Sequence, residues 1–339
     1  MKEKKKNELK GKAVAVIGAG SWATAIVKIL SQQSASINWW VHKKKDAKKI
    51  AKKKKNPRYL SSVEIDIDKV TVFLDIEEAI QHATTVILAV PAAFIGDVLE
   101  PLNAKSFEGK AVISAIKGMI PEKGLLITDY VHKEFGVPTN KLGVIAGPCH
   151  AEEVAMEKQS YLTISSEDFQ LAKNFAEMLN CHYIKTSINT DIYGVEYAAI
   201  MKNVFAIACG IAHGLNYGDN FQAVLVSNAL REIEVFLEAI SKKDRQISAS
   251  AYLGDLLVTT YSQFSRNRTF GNMIGRGYSV KFAQLEMEMI AEGYYAVRSL
   301  YQIQKRHNLN LPIIKAVYNI LYEKISPIIE FTILKNEMK

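Results

Sequence analysis

Near the start of the chain, a short apolar run passes directly into a turn with two glycines and then into a helical pattern. Residues 13–17 read AVAVI, which predicts a buried strand, and residues 18–30 read GAGSWATAIVKIL. The result is the pattern G-x-G-x-x-A, in which Ala23 occupies a position that needs only a small side chain for helix–strand packing. The segment therefore predicts a strand–turn–helix unit.

The two glycines and the start of the helix have separate tasks in binding an anion. Gly18 permits the tight turn, and Gly20 lets a pyrophosphate approach the backbone. The amides of Ser21 and Trp22 at the helix start then face that pyrophosphate. We predict a dinucleotide-binding turn here, and a chance glycine turn is the alternative.

Strand and helix patterns then alternate as far as residue 186, and beyond it the pattern is helix upon helix. Such alternation predicts a doubly wound sheet with ligands at the carboxyl ends of its strands. The predicted fold is α/β, with an N-terminal Rossmann-like doubly wound sheet and a C-terminal all-helical domain. We assign residues 1–12 to a basic tail, 13–188 to the dinucleotide-binding domain, and 189–339 to a helical substrate and catalytic domain. Further strands are predicted at 37–41, 70–74, 85–90, 111–114, 141–146, 163–165 and 182–186, and helices at 76–82 and 168–179.

Composition narrows the class of protein. The 339 residues are 48% hydrophobic and 23% charged, as in ordinary globular proteins, and no apolar run approaches the roughly 18 residues of a membrane span. The N-terminus lacks the apolar core of a signal peptide. Three scattered cysteines show neither a disulfide framework nor a metal spacing, so we expect a cytoplasmic protein without a metal site.

The net charge of +8 comes largely from the N-terminal lysines and from residues 42–58. No aromatic residues alternate with these lysines to stack on bases, so nucleic-acid binding is not expected. His42, Lys43 and Lys44 follow the second strand, where an acidic residue would bind the ribose of NAD. Cations there suit the 2′-phosphate of NADP, so we expect NADP or NAD, with NADPH favoured. A simple surface cluster of lysines remains the alternative.

The helix that opens the second domain is apolar on nearly every face, yet it contains Lys202 and Asn203. No acidic residue lies three or four positions from Lys202, so a helical ion pair cannot explain this lysine. A buried lysine has a lowered pKa and is a candidate proton carrier. The alternative is a lysine at the edge of the buried face, with its ammonium in water. Asn203 is a candidate either for a substrate contact or for satisfying buried backbone.

Other polar residues are candidates for the same site. Lys117 follows a predicted strand, and a cation at that carboxyl end points towards a ligand. Asp255 begins a helix, where the dipole favours an anion, and Thr259 shares its face. Ser265–Arg266–Asn267 offers a guanidinium with flanking donors that fits a phosphate, although Arg266 is equally suited to holding a helix end.

Together these segments resemble the bacterial type of the NAD(P)-dependent glycerol-3-phosphate dehydrogenase family. The resemblance spans residues 13–300 and rests on GAGSWATA, SAIKGM, AGPCHAEEVA, the MKN helix with GLNYGDN, GDLLVTT, SRNRTFG and AEG. It implies interconversion of dihydroxyacetone phosphate and sn-glycerol 3-phosphate, which supplies phospholipid synthesis. It implies Lys202 as the general acid and base, with Asp255 and Lys117 beside it. We expect a homodimer that binds a small phosphorylated substrate.

The resemblance also implies the ligand contacts. The substrate contacts are Lys117, Gly147, Cys149, Asp255, Ser265, Arg266 and Asn267. The nucleotide contacts are Ser21, Trp22, His42, Tyr59, Lys117, Ala151, Arg266, Ile290 and Glu292. The chain departs from the family at Cys149, where serine or threonine is usual, and at His150, where an aromatic residue is usual. A weak thiol donor thus replaces a hydroxyl.

Three other functions remain open on the residues alone. A hydroxy-acid dehydrogenase of the same plan would bind a carboxylate at Arg266. A non-catalytic nucleotide sensor could dispense with Lys202 and Asp255, and their joint presence counts against it. Nucleic-acid binding through the lysine-rich segment would be salt-dependent.

Overall fold

The computed structural model describes residues 13–33, 36–121, 123–287 and 291–339, which fall into two compact units. The first unit comprises the chain up to Val90 together with Phe94–Ile116 and Ile127–Ile192. The second comprises Pro91–Ala93, Lys117–Leu126 and Tyr193–Lys339. The predicted tail at residues 1–12 lies outside the described residues.

The first unit is built on an eight-stranded sheet in the order β3-β2-β1-β4-β5-β6-β7-β8. Neighbouring strands are parallel except β6 and β7, so the last two strands run against the others. The strands are β1 Ala13–Ile17, β2 Ile37–Trp40, β3 Val70–Phe73, β4 Ala83–Leu88, β5 Ala111–Ser114, β6 Leu142–Ala146, β7 Ser160–Ser165 and β8 Ile184–Asn189.

This order confirms the predicted doubly wound α/β fold. The order in which strands are added to the sheet reverses at β1, which pairs in parallel with β2 on one side and with β4 on the other. Ligands of such sheets bind where the order reverses, beyond the carboxyl ends of the strands. β1 itself is almost fully buried, because helices cover both faces of a parallel sheet.

The strand boundaries differ from prediction at the far edge of the sheet. The predicted strands at 163–165 and 182–186 are observed as Ser160–Ser165 and Ile184–Asn189. These strands pair with each other over their whole lengths, and only two of the six residues of β8 are apolar. Pairing, rather than hydrophobic pattern, therefore sets where they end.

Helices of the first unit alternate with the strands as predicted, and two of them have aspartate caps. Asp75 and Asp168 each accept hydrogen bonds from two backbone amides at the start of a helix. The helices are α1 Ser21–Ser31, α2 Lys44–Lys53, α3 Ile76–Gln81, α4 Ile95–Leu99, α5 Ile127–Phe135, α6 Ala151–Ala155 and α7 Phe169–Leu179.

The second unit is helical in its described residues and begins with the lysine helix. That helix, α8, spans Ile192–Gly214, and its membrane-length apolar window is entirely buried within the protein, as in a core helix. The others are α9 Asp219–Ile240, α10 Asp255–Tyr261, α11 Arg266–Gly275, α12 Val280–Glu286, α13 Glu292–Arg306, α14 Pro312–Leu321 and α15 Pro327–Glu337.

Two glycine pairs bring α8 and α11 into backbone contact. A Cβ atom on Gly210 would lie 2.1 Å from the carbonyl oxygen of Arg268, and one on Gly271 would lie 2.1 Å from that of Ile207. Gly214 and Gly275 repeat the same close approach one turn further on. No side chain larger than hydrogen fits here, so these glycines fix how closely α11 packs on α8.

The division into units differs from the predicted boundary between residues 188 and 189. Pro91–Ala93 and Lys117–Leu126 pack with the helical unit, although they precede that boundary in sequence. The reason for the second segment is specific: Asn203 on α8 donates from Nδ2 to the carbonyl oxygen of Lys117, at 2.8 Å. Long-range hydrogen bonds of this kind leave no mark on local sequence.

Replacing Gly210 by alanine should destabilise the protein strongly, because the new methyl group would overlap the backbone of α11. The expected loss lies at or above the upper end of the about 1–3 kcal/mol that overpacking costs. Thermal unfolding of the variant and the wild type measures this loss of stability. Gly96→Ala is the control, because that helical glycine has no heavy atom within 4 Å of a built Cβ, and it should leave stability unchanged or raise it. Equal losses in both variants would contradict the packing argument.

Candidate active site

The glycine turn after β1 has the geometry that a bound pyrophosphate requires. Gly18 has φ of +132°, and a Cβ there would lie 2.3 Å from the carbonyl oxygen of Ala89. At Gly20 a Cβ would meet nothing within 4 Å, so the space beside this backbone is open. Gly20 is the N-cap of α1 and contributes no side-chain hydrogen bond to the start of that helix. The predicted contacts Ser21 and Trp22 are the first two residues of the helix, where the dipole favours an anion.

Asn56, a residue that the sequence reasoning missed, fixes this turn. Its Nδ2 donates to the carbonyl oxygen of Ala19 at 3.0 Å and to Oγ1 of Thr24 at 2.8 Å. Its Oδ1 accepts from the amides of Arg58 and Tyr59. Asn56 therefore links the predicted nucleotide contact Tyr59 to the glycine turn. A buried asparagine before a proline carries no sequence signal specific enough to have revealed this.

Basic side chains follow β2, where an adenosine ribose is bound in folds of this type. His42, Lys43 and Lys44 are all exposed. Beneath them, Nε1 of Trp39 donates to the carbonyl oxygen of Gly18 at 2.6 Å and ties β2 to the glycine turn. The position has no acidic residue and suits a phosphate-bearing ribose as well as a plain one.

The segment after β6 is held against the Tyr161 backbone by the close approach of Gly147 and by the thiol of Cys149. Gly147 has φ of +114°, and a Cβ there would lie 2.6 Å from the carbonyl oxygen of Tyr161. The buried Cys149 donates its thiol to the same oxygen at 3.1 Å. His150 occupies the N-cap position of α6, and Ala151 is the first residue of that helix. The Cys149 thiol thus has a structural partner within the first unit.

The core of the helical unit contains a carboxylate between two lysines. Lys202 on α8 is 4% exposed and Asp255 is 1% exposed. Nζ of Lys202 donates to Oδ1 of Asp255, and Nζ of Lys117 lies 3.5 Å from Oδ2 of the same carboxylate. Asp255 begins α10 directly after a single π-turn at Ser250–Gly254, a local distortion often found at functional sites. The partner that Lys202 lacks within its own helix is therefore supplied by α10.

Burial lowers the pKa of Lys202 to about 7. Asp255 opposes that change by favouring the ammonium, and the nearby charge of Lys117 adds to it. Burial thus makes the Lys202 ammonium a better proton donor than an exposed lysine, as a general acid requires.

Two of the predicted substrate contacts have structural partners around this cluster. Nδ2 of Asn203 donates to the carbonyl oxygen of Lys117, which supports the alternative that Asn203 satisfies buried backbone. Oγ1 of Thr259 donates at 2.7 Å to the carbonyl oxygen of Asp255, one turn earlier in α10. Both side chains hold a charged residue in position.

The Ser265–Arg266–Asn267 triplet begins α11. Ser265 is the N-cap, and its side chain accepts from the amide of Arg268. Asn267 is buried, and its Oδ1 accepts from the amide of Gly293 at 2.9 Å, at the start of α13. Arg266 is exposed in the first turn of α11, where its charge adds to the positive end of the helix dipole. The side-chain cap of this helix is thus made by Ser265.

Glu292, a predicted nucleotide contact, begins α13 beside these residues. Its Oε1 accepts from the amide of Ala92 at 3.4 Å, and Oε2 would lie 3.4 Å from a Cβ on Gly118. Burial raises its pKa, while the charge of Arg266 is the largest effect that opposes the rise. Ile290, the remaining predicted nucleotide contact, lies outside the described residues. Within the described ranges, no group of three or more His, Cys, Asp or Glu side chains could hold a metal ion.

A glycine turn of this form on a doubly wound sheet, in a chain with a buried lysine of lowered pKa, defines a nicotinamide-dependent dehydrogenase. The open space beside Gly20, at the start of α1, fits the dinucleotide. The lysine suits the proton that accompanies hydride transfer.

Comparison with known proteins identifies the family. Residues 13–172 match the model of the NAD-dependent glycerol-3-phosphate dehydrogenase N-terminus, and residues 191–331 match that of its C-terminus. The chain belongs to this family. It is an NAD(P)-dependent oxidoreductase that interconverts dihydroxyacetone phosphate and glycerol 3-phosphate.

Individual relatives agree over nearly the whole chain. A glycerol-3-phosphate dehydrogenase [NAD(P)+] of Chlorobium limicola is 33% identical over 311 residues, which cover 91% of this chain and 93% of the relative. The protein of the same name from Staphylococcus carnosus is 31% identical over 313 residues, covering 92% and 94%. The crystal structure of glycerol-3-phosphate dehydrogenase from Coxiella burnetii aligns with a TM-score of 0.89 at 27% identity, over 95% of this chain and 98% of that one.

Replacing Gly20 by alanine should weaken nucleotide binding without destabilising the protein. The methyl group would occupy the open space that the pyrophosphate needs, so we expect the dissociation constant for NADPH to rise about tenfold or more. Fluorescence titration with NADPH measures the constant.

Gly218→Ala is a close control. Gly218 is also a helix N-cap, with φ of −77° against −75° at Gly20, and a Cβ there likewise meets nothing within 4 Å. An equal loss of affinity in both variants, or unchanged affinity in Gly20→Ala, would refute the predicted role of this turn.

Proposed function

We propose that this enzyme works mainly as a reductase of dihydroxyacetone phosphate, with Lys202 as the general acid. The observation that supports this role is the buried Lys202–Asp255–Lys117 cluster. A bound reduced nicotinamide supplies the hydride to the ketone carbon. The ketone oxygen then becomes an alkoxide, and Lys202 gives it a proton to complete the alcohol. In the reverse direction, neutral Lys202 takes the alcohol proton.

The partners of Lys202 tune this chemistry in opposite directions. Asp255 fixes the ammonium group in place and favours its charged form against the cost of burial. Lys117 contributes a second positive charge, which lowers the pKa of Lys202 and favours release of the proton. Two cations share one carboxylate, so the cluster keeps an excess positive charge. That excess stabilises a developing alkoxide and an anionic substrate.

Arg266 and the start of α11 bind the substrate phosphate in this proposal. An exposed guanidinium in the first turn of a ten-residue helix adds its charge to the positive end of the helix dipole. Ser265 and Asn267 hold this helix start in place through the cap and through the amide of Gly293. Binding energy at the phosphate, away from the reacting carbon, then orients the ketone.

The proposal favours NADPH over NADH. His42, Lys43 and Lys44 are exposed where the adenosine ribose is expected, and none of the three carries a carboxylate to bind its 2′-hydroxyl. The chain would work in the cytoplasm as a homodimer and supply glycerol 3-phosphate for phospholipid synthesis. Reduction driven by NADPH fits a biosynthetic role of this kind.

When dihydroxyacetone phosphate is added to the protein, the absorbance of the reduced nucleotide should fall faster with NADPH than with an equal concentration of NADH. In Arg266→Met the KM for this substrate should rise about tenfold or more, since a charge-assisted hydrogen bond contributes about 1.5–3 kcal/mol. Dihydroxyacetone without phosphate should show a similarly high KM with both proteins.

Arg276→Met removes an exposed arginine from the other end of the same helix and should leave KM unchanged. Absence of activity with either nucleotide would overturn the proposed function. A loss of kcat with unchanged KM in Arg266→Met would overturn the phosphate role alone.

Replacing Lys202 by methionine should lower kcat by about 10²–10⁴-fold, the usual contribution of a general acid, while NADPH affinity remains. In the wild type, the reduction rate should fall as pH rises through the pKa of Lys202, because reduction needs the ammonium. The oxidation rate should rise over the same interval, because oxidation needs the amine.

Lys202→Arg is the matched variant, since it keeps the positive charge beside Asp255 but does not release a proton. Substantial activity in Lys202→Arg, or pH profiles with the same slope in both directions, would exclude the assignment.

A further inference from the structure

The helix α6 is short, yet its N-terminal side carries three of the predicted ligand contacts. These contacts are Gly147, Cys149 and Ala151. Five residues form too few hydrogen bonds to hold a helix in place by themselves. The other end of α6 must therefore be fixed by tertiary contacts.

Those contacts come from Lys28 on α1. Its side chain is 14% exposed, and Nζ donates to the carbonyl oxygen of Ala155 at 2.8 Å, at the last residue of α6. The same Nζ lies 3.0 Å from Oε1 of Glu157 and over the ring of Tyr183, 5.7 Å from its centroid. One largely buried ammonium thus holds the end of α6 and the residues that follow it.

Glu157 occupies a backbone position that usually belongs to glycine. Its φ is +57°, and the amides of Glu157 and Lys158 bond to the carbonyl oxygens of Val154 and Glu153. This is a Schellman motif with Glu157 at C′, where glycine is the common residue because a side chain is strained there. A glutamate at this position needs a reason other than the turn itself.

The contacts of its carboxylate supply that reason. Oε1 faces Lys28, and Oε2 lies 3.2 Å from Nε2 of His182, just before β8. The contact with Lys28 is also the largest effect that lowers the pKa of Glu157. Glu157 therefore has a strained backbone conformation, and its carboxylate connects α1, α6 and the start of β8.

We propose that Lys28 and Glu157 are positioning residues that fix the substrate-contact segment at the start of α6 relative to α1. The first turn of α1 carries the nucleotide contacts Ser21 and Trp22, and Lys28 lies two turns further along the same helix. The pair thereby couples the nucleotide turn to the substrate segment. This inference rests on the proposed contacts at Gly147, Cys149 and Ala151, and neither positioning residue touches the reactants.

The test compares Lys28→Met and Glu157→Gly with the wild type, in assays with dihydroxyacetone phosphate and NADPH. Each variant should raise the KM for dihydroxyacetone phosphate about three- to tenfold, with a smaller change in kcat, since a partly buried ion pair with hydrogen bonds is lost. Glu157→Gly separates positioning from stability. Glycine suits the left-handed position, so the thermal midpoint should be maintained even as KM rises.

Glu157→Gln should partly restore KM, because its side-chain oxygen still accepts from Lys28. The double variant Lys28→Met, Glu157→Gly should be less impaired than the product of the two single effects, as expected for residues that act as a pair.

Lys110→Met is the matched control. Lys110 also donates to carbonyl oxygens at and beyond a helix end, those of Gln81 and Ala83 at 3.2 and 3.0 Å, but this helix, α3, carries no predicted contact. The KM of the Lys110→Met variant for dihydroxyacetone phosphate should therefore be unchanged.

Unchanged KM in both Lys28→Met and Glu157→Gly, or an equal rise in Lys110→Met, would overturn the proposal. Failure of the proposed function gives a different result, because the wild type itself would then not oxidise NADPH with dihydroxyacetone phosphate.

Discussion

The carboxylate of Asp255 makes the centre of the helical unit possible. Burying the Lys202 ammonium without a partner would cost several kcal/mol or force the group to lose its charge. Asp255 is itself 1% exposed and would carry the same penalty alone. Each group therefore depends on the other, and the start of α10 must lie beside α8 for either to be tolerated. Lys117 and Thr259 each contact Asp255, and Asn203 in turn binds the backbone of Lys117.

The glycines of α8 and α11 serve the same arrangement. Close backbone contact at Gly210 and Gly271 brings α11 against α8, and Ser265 and Arg266 lie at the beginning of α11. Asn267 then connects α11 to α13 through the amide of Gly293, and a Cβ on Gly293 would lie 2.6 Å from the carbonyl oxygen of Asn203. Residues distant in sequence thus meet around α8 because their backbones approach more closely than ordinary side chains allow.

Local sequence was sufficient to predict the elements and much of the chemistry. The apolar run at β1, the glycine turn and the strand–helix alternation each depend on neighbouring residues, and all were recovered. The same holds for Lys202, whose lack of a helical partner is visible within four residues on either side. The resemblance to a known family added the identity of its partner, Asp255.

Tertiary contacts set what the sequence could not show. Lys117 falls within the predicted dinucleotide-binding domain, whereas its carbonyl oxygen is bound by Asn203 on α8. The thiol of Cys149, a predicted substrate contact, donates to the carbonyl oxygen of Tyr161, twelve residues further along. Asn56 went unnoticed because its four hydrogen bonds connect segments with no common pattern. In each case a polar side chain makes a hydrogen bond to a backbone group that is distant in sequence or lies in an irregular segment. Such contacts do not follow the periodic pattern that reveals helices and strands in a sequence.

Glu157 illustrates how such contacts arise despite local preference. Sequence rules favour glycine at the end of α6, and by those rules a glutamate at φ of +57° is a poor choice. The preference concerns the backbone alone, whereas the side chain binds Lys28 on a helix more than a hundred residues earlier. A local rule that is broken at a position with long-range ionic contacts indicates a constraint of another kind. Here the constraint is the placement of a short helix that has little intrinsic stability and carries ligand contacts at its other end.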